Sequence, residues 1–333
     1  MPEPRILTAA EAIREAQDVA LAADAAVCVI GEGVAENAFT GMAIGAAMMG
    51  QRPIVVHQRV EFSLLAMEQI VNSAAKLHYV SGGAHRVPLV IRLVVGRGWG
   101  QGPQHSQSLE AMFATVPGLK VIAPALPADA KGMLLSAIAD DNPVIVLEHR
   151  WIHYTEGAVD EGWAAAPLDG PRRLRAGDDV TVVASSYMTL EAMQAVDALA
   201  AEGIGIDLFD LRVIRPLNLD AVTESVRRTG RLVTVDIGNR AFGVGAEIAQ
   251  RITEAYFDDL RAAPVRIGLP DHPTPSSRSL AAAFYPRAEH IAEAAAGLVG
   301  LEASAAGRVC DALAKARESV PLDVPHPSFR GPF

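Results

Sequence analysis

"QHSQSLEAMFATVPGLKVIAPALPADAKGMLLSAIADDNPVIVLEH", residues 104–149, is the stretch whose reading decides the fold. "SQSLEAMFAT" reads as a helix and "LKVIA" as a short apolar strand. "PADAKGMLLSAIADD" reads as a helix with Pro127 in its first turn, where the missing N–H costs little. "PVIVLEH" is a second apolar strand. Strands that lack polar alternation and are separated by helices belong to a parallel sheet covered on both faces.

The same rhythm runs upstream. Thr8 with Glu11 three residues on is a capping-box pattern. Ile13, Ala16, Val19, Ala20 and Ala23 then recur at helical spacing. "AVCVI" (26–30) is a buried strand and "ENAFTGMAIGAAMMG" (36–50) a helix of small residues, with Gly41 and Gly45 allowing close approach along one face. "PIVVH" is a strand, "FSLLAMEQIVNSAAKLHYV" a long amphipathic helix, and "VPLVIRLVV" a fully apolar strand interior. Downstream, "EGWAAAPLDGPRR" breaks the alternation. The expected organisation is a first α/β domain over 1–150, a linker over 151–178, a smaller α/β domain over 179–300 and a C-terminal arm over 301–333. Helices are expected at 189–202, 219–229 and 245–256 in the second domain. The arm opens with an Ala-rich helix and ends in "VPLDVPHPSFRGPF", which cannot build a core alone. The two halves share a class but no repeated motif.

Composition narrows the function. The chain has 333 residues, half of them hydrophobic, and a net charge of −10. That balance argues against nucleic acid as the main partner, because phosphate binding needs a basic face. No apolar run approaches the roughly 20 residues of a membrane span, and the N-terminus carries no apolar signal core. Two cysteines, Cys28 and Cys310, are too few for a disulfide framework. A cytoplasmic setting is expected.

Nucleotide motifs fail. "GEGVAE" and "GVGAEI" lack the third glycine of the dinucleotide fingerprint, and "GRGWGQG" (96–102) misses it by spacing. There is no phosphate-loop lysine motif, no G-x-S-x-G and no H-E-x-x-H, so a serine hydrolase and a zinc site are not expected. What remains is His105, placed between two glutamines after the glycine run, at the expected start of a helix. Spacing alone leaves two readings: a helix-entry histidine bonded to backbone, or an imidazole offered to a ligand, since the ring can donate or accept a proton near neutral pH.

Three stretches in order carry a resemblance: "AENAFTGMAIGAAMMGQRPIVV" (35–56), "EFSLLAMEQIVNSAAKLHYVSGG" (61–83) and residues 104–149. Together with "DLRVIRPLNLDAVTESVRRTGRLVTVD" and "FGVGAEIAQRITEAYFDDL", they resemble the β subunit of the thiamine-diphosphate-dependent, decarboxylating component of 2-oxoacid dehydrogenase complexes, over roughly residues 8–298. The resemblance implies a pyrimidine-binding domain followed by a transketolase-type C-terminal domain. It places Glu36 as the carboxyl group that activates the cofactor through its aminopyrimidine ring. From spacing alone Glu36 reads as an acid complementing a helix dipole. The resemblance places Phe62 against the pyrimidine, Gln104 beside the cofactor and His105 facing the thiazolium and an incoming lipoyl group. It also matches Leu89, Ala137, Ile138, Asp140 and Asn142 to main-chain carbonyls that bind potassium in the family.

The chain departs from that pattern in three places. It has no G-D-G, which in the family lies on a separate α subunit that binds Mg²⁺ and diphosphate. "GEGVAEN" joins segments that the family separates by an extended loop, and the Ser before the glutamate is Ala35. Val56 replaces the usual acid on the strand that begins "RP". The implied activity is decarboxylation of a small 2-oxo acid with acyl transfer to a lipoyl carrier acyltransferase, in a heterotetramer with an α chain. A two-chain transketolase-like carboligase and a non-catalytic partner subunit are the alternatives.

Overall fold

The computed structural model describes residues 4–31, 35–97 and 100–318. The chain opens with β1 (Ile6–Thr8), α1 (Ala9–Ala23), β2 (Val27–Ile30), α2 (Glu36–Met48) and β3 (Arg52–His57). A helical stretch follows, beginning with α3 (Val60–Ser63) and ending with α4 (Leu77–Val80). Next come β4 (Val90–Val95), α5 (Glu110–Ala114), β5 (Lys120–Ile122), α6 (Pro127–Ala139), β6 (Val144–His149) and β7 (Glu156–Ala158). The second half holds β8 (Arg172–Arg175), β9 (Val180–Ala184), α7 (Tyr187–Ala200), β10 (Ile206–Asp210), β11 (Val213–Arg215), α8 (Asp220–Thr229), β12 (Leu232–Asn239), α9 (Val244–Tyr256) and β13 (Val265–Leu269). It closes with α10 (Arg278–Phe284), α11 (Ala288–Val299) and α12 (Ala303–Ala316).

Two α/β units result, each on a mainly parallel sheet. The first sheet runs β11-β5-β6-β4-β3-β2 and the second β13-β12-β9-β10-β8. In the first, successive strand residues face opposite sides. Ile54, Val90, Ile122, Val144 and Val146 pack under α1 and α6. Val55, Ile91, Leu93, Val121, Ile145 and Leu147 face the other way, into a core continuous with the second unit. That is why these strands read as unbroken apolar runs. The capping box at Thr8 forms as expected, its hydroxyl accepting from the Glu11 N–H while the Glu11 carboxylate accepts from the Thr8 N–H.

Four features differ from the sequence expectation. The 62–80 stretch is helical but not one α-helix. A 3₁₀ turn at Leu64–Ala66 and a π-helical stretch at Gln69–Ala74 interrupt it. The widened part ends where Gly118, at φ +98°, lies so close to the Ala75 carbonyl that a Cβ would sit 1.9 Å from the oxygen. The helix expected from residue 106 begins only at Glu110. The backbone of Gln107 is already engaged, its N–H by Glu61 and its carbonyl by the Gly96 N–H. The segment 151–178 carries two strands: β7 pairs antiparallel with β1, and β8 edges the second sheet. Finally, β11 crosses back from the second unit to the edge of the first sheet, antiparallel to β5. Arg212, just before it, donates to Asp129 of α6 at 2.9 Å, and Arg172 donates to the other oxygen of the same carboxylate at 2.9 Å. The arm's helix forms as α12, against α7 and α11. The "VPLDVPHPSFRGPF" segment lies outside the described residues.

The strand expected to be wholly apolar carries Arg92, which donates to both oxygens of Glu148 on β6 at 2.5 and 2.9 Å. Burial would raise the Glu148 carboxyl, but Arg92 and His153 outweigh it and hold it down at about 2. Breaking a buried pair on one side strands a charge, whereas replacing both sides does not. Arg92→Met is therefore expected to cost on the order of 3–5 kcal/mol in chemical denaturation. The double replacement Arg92→Met with Glu148→Leu should recover most of that loss. Equal losses for the single and the double variant would contradict the pair's role.

Candidate active site

Four neighbouring parallel strands end on one side of the first sheet, and ligands of such sheets bind outside those carboxyl ends. After β2 the chain reaches Glu36, the first residue of α2, whose cap Ala35 offers no side-chain hydrogen bond. After β3 come Arg59, Glu61 and Phe62 on the turn of α3. After β4 a loop leads to Pro103–His105, a single 3₁₀ turn. After β6 comes Arg150. Glu36 and Phe62 are half-buried, and Gln104 and His105 are exposed.

Hydrogen bonds fix the loop that carries His105. Arg59 Nη1 donates to the His105 carbonyl at 2.8 Å. The Gln107 N–H donates to Glu61 Oε1 at 2.6 Å, and Ser106 Oγ to the Gln101 carbonyl at 2.9 Å. His105 Nδ1 also contacts the Gln104 carbonyl. The Phe62 and His105 rings meet edge to face, with centroids 5.5 Å apart. His105 thus ends a turn instead of opening a helix, and its imidazole is left exposed beside Phe62. Burial raises the Glu61 carboxyl, while the Gln107 N–H, its own N–H, Arg59 and His105 pull it back down.

Beneath the start of α2 lies His57, the last residue of β3 and only 1% exposed. Its Nε2 is 3.3 Å from the Thr40 hydroxyl and its ring 5.0 Å from that of Phe39, while Nδ1 has no hydrogen-bond partner. Burial pushes the imidazole down to about 4, against an upward pull from Glu36. Val56 beside it packs with the α1–α6 core, so an apolar residue suits that position.

The five positions matched to a potassium site are brought to one region, but four of their carbonyls already accept hydrogen bonds. Arg52 Nη1 donates to the Ile138 carbonyl at 3.1 Å and the Asp140 carbonyl at 3.0 Å. The Leu89 carbonyl takes the Val144 N–H and the Ala137 carbonyl the Asp140 N–H. Asn142 folds back, its N–H 2.9 Å from Asp140 Oδ1. A free cation here would meet the Arg52 guanidinium, so this donor set does not fit one as it stands. Among the described residues no group of three or more His, Cys, Asp or Glu side chains could hold a metal ion.

Residues 8–153 match the pyrimidine-binding domain of transketolase, and residues 171–291 the transketolase C-terminal domain. The pyruvate dehydrogenase E1 component subunit beta of Porphyra purpurea is 38% identical over 316 residues, covering 87% of this chain and 96% of that protein. The chain belongs to the family of these E1 β subunits. Another member of the family, the acetoin:2,6-dichlorophenolindophenol oxidoreductase subunit beta of Cupriavidus necator, is 40% identical over 262 residues, covering 79% of this chain and 78% of its own. The mitochondrial subunit beta-1 of Arabidopsis thaliana is 41% identical over 266 residues, covering 78% of this chain and 73% of its own. A solved split-gene transketolase, described as an inactive β4 tetramer, superposes with a TM-score of 0.71 at 22% identity, over 89% of this chain and 99% of that one. That likeness concerns the fold alone. Among the described residues no helix is long and apolar enough to cross a membrane.

Around this candidate site the sequence reading did not single out His57, Arg59, Glu61 or Arg150. His57 is the last residue of its strand and the others lie just past strand ends, and only the sheet's topology shows that those ends are neighbours. His57 gives a test by pH. Its folded value lies below its ordinary one, so between about 6.5 and 4 the unfolded chain binds a proton that the folded chain refuses. Stability should fall as pH drops through that window. His57→Phe should flatten the fall, read as melting temperature against pH. An unchanged slope would show that His57 is not the group responsible.

Proposed function

We propose that this chain is the catalytic β subunit of a heterotetrameric 2-oxoacid dehydrogenase component, working with an α chain on a small 2-oxo acid and passing the acyl group to a lipoyl carrier. The observation that carries the proposal is the convergence of Glu36, Phe62 and His105 at adjacent strand ends, in a chain of the E1 β-subunit family. The arrangement suits the pyrimidine half of thiamine diphosphate. A half-buried carboxyl group opens a helix, and a half-buried aromatic ring faces an exposed imidazole. Bound there, the cofactor supplies a carbon nucleophile that takes over the electron pair released when the 2-oxo acid loses CO₂.

The chain's own residues have separable tasks. Glu36 holds or releases a proton at its carboxyl, and a ring nitrogen hydrogen-bonded to it would feel that change. Phe62 gives an apolar platform that fixes the ring's plane. His105 presents an imidazole able to donate a proton to a developing oxyanion or to a sulfur leaving group. Its neighbour Gln104, also exposed, can donate an amide hydrogen bond to the same ligand. Arg59 and Glu61 hold the backbone on both sides of His105, so the ring is presented by a braced loop. The diphosphate and Mg²⁺ would be bound by the α chain.

The test is 2-oxo-acid-dependent dye reduction with thiamine diphosphate and Mg²⁺. Activity is expected only when this chain and its α partner are combined. Glu36→Gln should lower it about 10²- to 10⁴-fold, with the complex still formed. Undiminished turnover in that variant would instead support a non-catalytic partner subunit.

A further inference from the structure

Arg150 has no task in the reaction described above. It begins the Arg150–Ile152 turn directly after β6, on the same side of the sheet as Glu36, Phe62 and His105, and is 3% exposed. Its Nη1 donates to the neutral side-chain amide of Gln101 at 3.2 Å, and its Nε is buried without an acceptor. No carboxylate lies within ion-pair distance of it among the described residues. Arg59, 6% exposed, reaches the same loop from the next strand end but one. Burial and the neighbouring Arg59 push the Arg150 guanidinium down to about 10, with Glu61 and Tyr154 opposing. A buried cation without an anion is costly unless a ligand supplies the charge. The Gln101 side chain that accepts the Arg150 hydrogen bond is half-buried, on the same loop as His105.

We infer that Arg150, with Arg59 beside it, forms an oxyanion subsite next to His105 and Phe62 for a permanent negative group, carboxylate or phosphate, on the end of the substrate remote from the reacting carbonyl. The inference rests on the 2-oxo-acid reading for its choice of end. The reacting carboxylate leaves as CO₂ and passes its electron pair to the adjacent carbon. Two guanidiniums clamped on it would stabilise the charge before that step and slow it. A remote anion keeps its charge throughout, so the same clamp binds and orients without opposing the chemistry. A bidentate guanidinium contact also suits a planar carboxylate or a phosphate face. The substrate class is therefore a 2-oxo acid with a second, distal anionic group.

Two readouts on the cofactor-loaded α/β complex test this separately from the dehydrogenase reading. The first is calorimetric titration with succinate and with inorganic phosphate. The wild-type complex should bind one of them, and Arg150→Met should weaken that binding about ten- to a hundredfold, the scale of a lost charged hydrogen bond. Arg150→Lys, which keeps the charge, should recover part of it, and an unchanged melting temperature in either variant confirms folding. The second readout is dye reduction with 2-oxopentanoate, 2-oxoglutarate and 2-oxo-3-phosphonooxypropanoate. The ratio of kcat/KM for an anionic over the neutral substrate should exceed ten and collapse in Arg150→Met. Preference for 2-oxoglutarate identifies a carboxylate subsite, and preference for the phosphate ester a phosphate one. If neither ion binds, or if both bind the Met variant as they bind wild type, the subsite is overturned. If ions bind in an Arg150-dependent way while every 2-oxo acid is silent, the subsite stands and the dehydrogenase reading falls.

Discussion

Parallel strands that are hydrogen-bonded neighbours must end on the same side of their sheet, and that constraint assembles this site. β2, β3, β4 and β6 lie next to one another, although the stretch from Val27 to His149 spans 123 residues. Their ladders end in steps, β2 at Ile30 opposite Val55, β3 at His57 opposite Leu93, and β4 and β6 together at Val95 and His149. The chain that follows must turn there, and its first polar residues are held against those of the neighbouring strands. Glu36, Arg59, Glu61, Phe62, His105 and Arg150 all come from such turns. The sheet brings them to one side, and hydrogen bonds from Arg59 and Glu61 then fix the loop that carries His105.

The sheet can hold this arrangement because its interior is fixed by a few buried charges in an otherwise apolar core. Arg92 and Glu148 join β4 to β6 directly below the loops that carry His105 and Arg150. Asp129 accepts from two arginines of the second half and ties that unit to α6. β11 extends the tie by lending a strand of the second unit to the first sheet. The site loops therefore stand on a base that cannot shift one strand end against the next without breaking an ion pair. On that base the His105 loop needs only the clamp supplied by Arg59 and Glu61.

Much of the fold was legible in the sequence, and the reasons are local. Unbroken apolar runs such as Val144–Leu147 announce strands buried on both faces, and Thr8 with Glu11 announces a helix start. The helix expected from residue 106 was not legible, because what prevents it is the Glu61 carboxylate, distant in sequence, on the Gln107 N–H. β7 and β11 escaped for the same reason: three-residue strands exist only through the partner they pair with. For the proposed site, Glu36, Phe62, Gln104 and His105 were singled out only through the family resemblance of the stretches around them. Arg59, Glu61, Arg150 and His57 carry no local signal. A lone arginine after a strand reads as a surface residue until the topology shows it buried. The carbonyls of Ile138 and Asp140 show the opposite limit. Their sequence matched a cation loop, but main-chain oxygens carry no side-chain mark, and Arg52 already occupies them.

In the reading proposed above this chain supplies the pyrimidine side of a cofactor site, and among its described residues no cluster of three or more His, Cys, Asp or Glu side chains could hold the diphosphate's metal. The central claim is that the site is completed only across an interface. The most direct measurement is the affinity for thiamine diphosphate in the presence of Mg²⁺, by calorimetry, for this chain alone and for its complex with the α partner. Saturable binding by the complex, with none by the isolated chain at the same concentrations, is the predicted result. Equal affinity of the isolated chain and the complex would contradict it, because the whole site would then lie within these 333 residues.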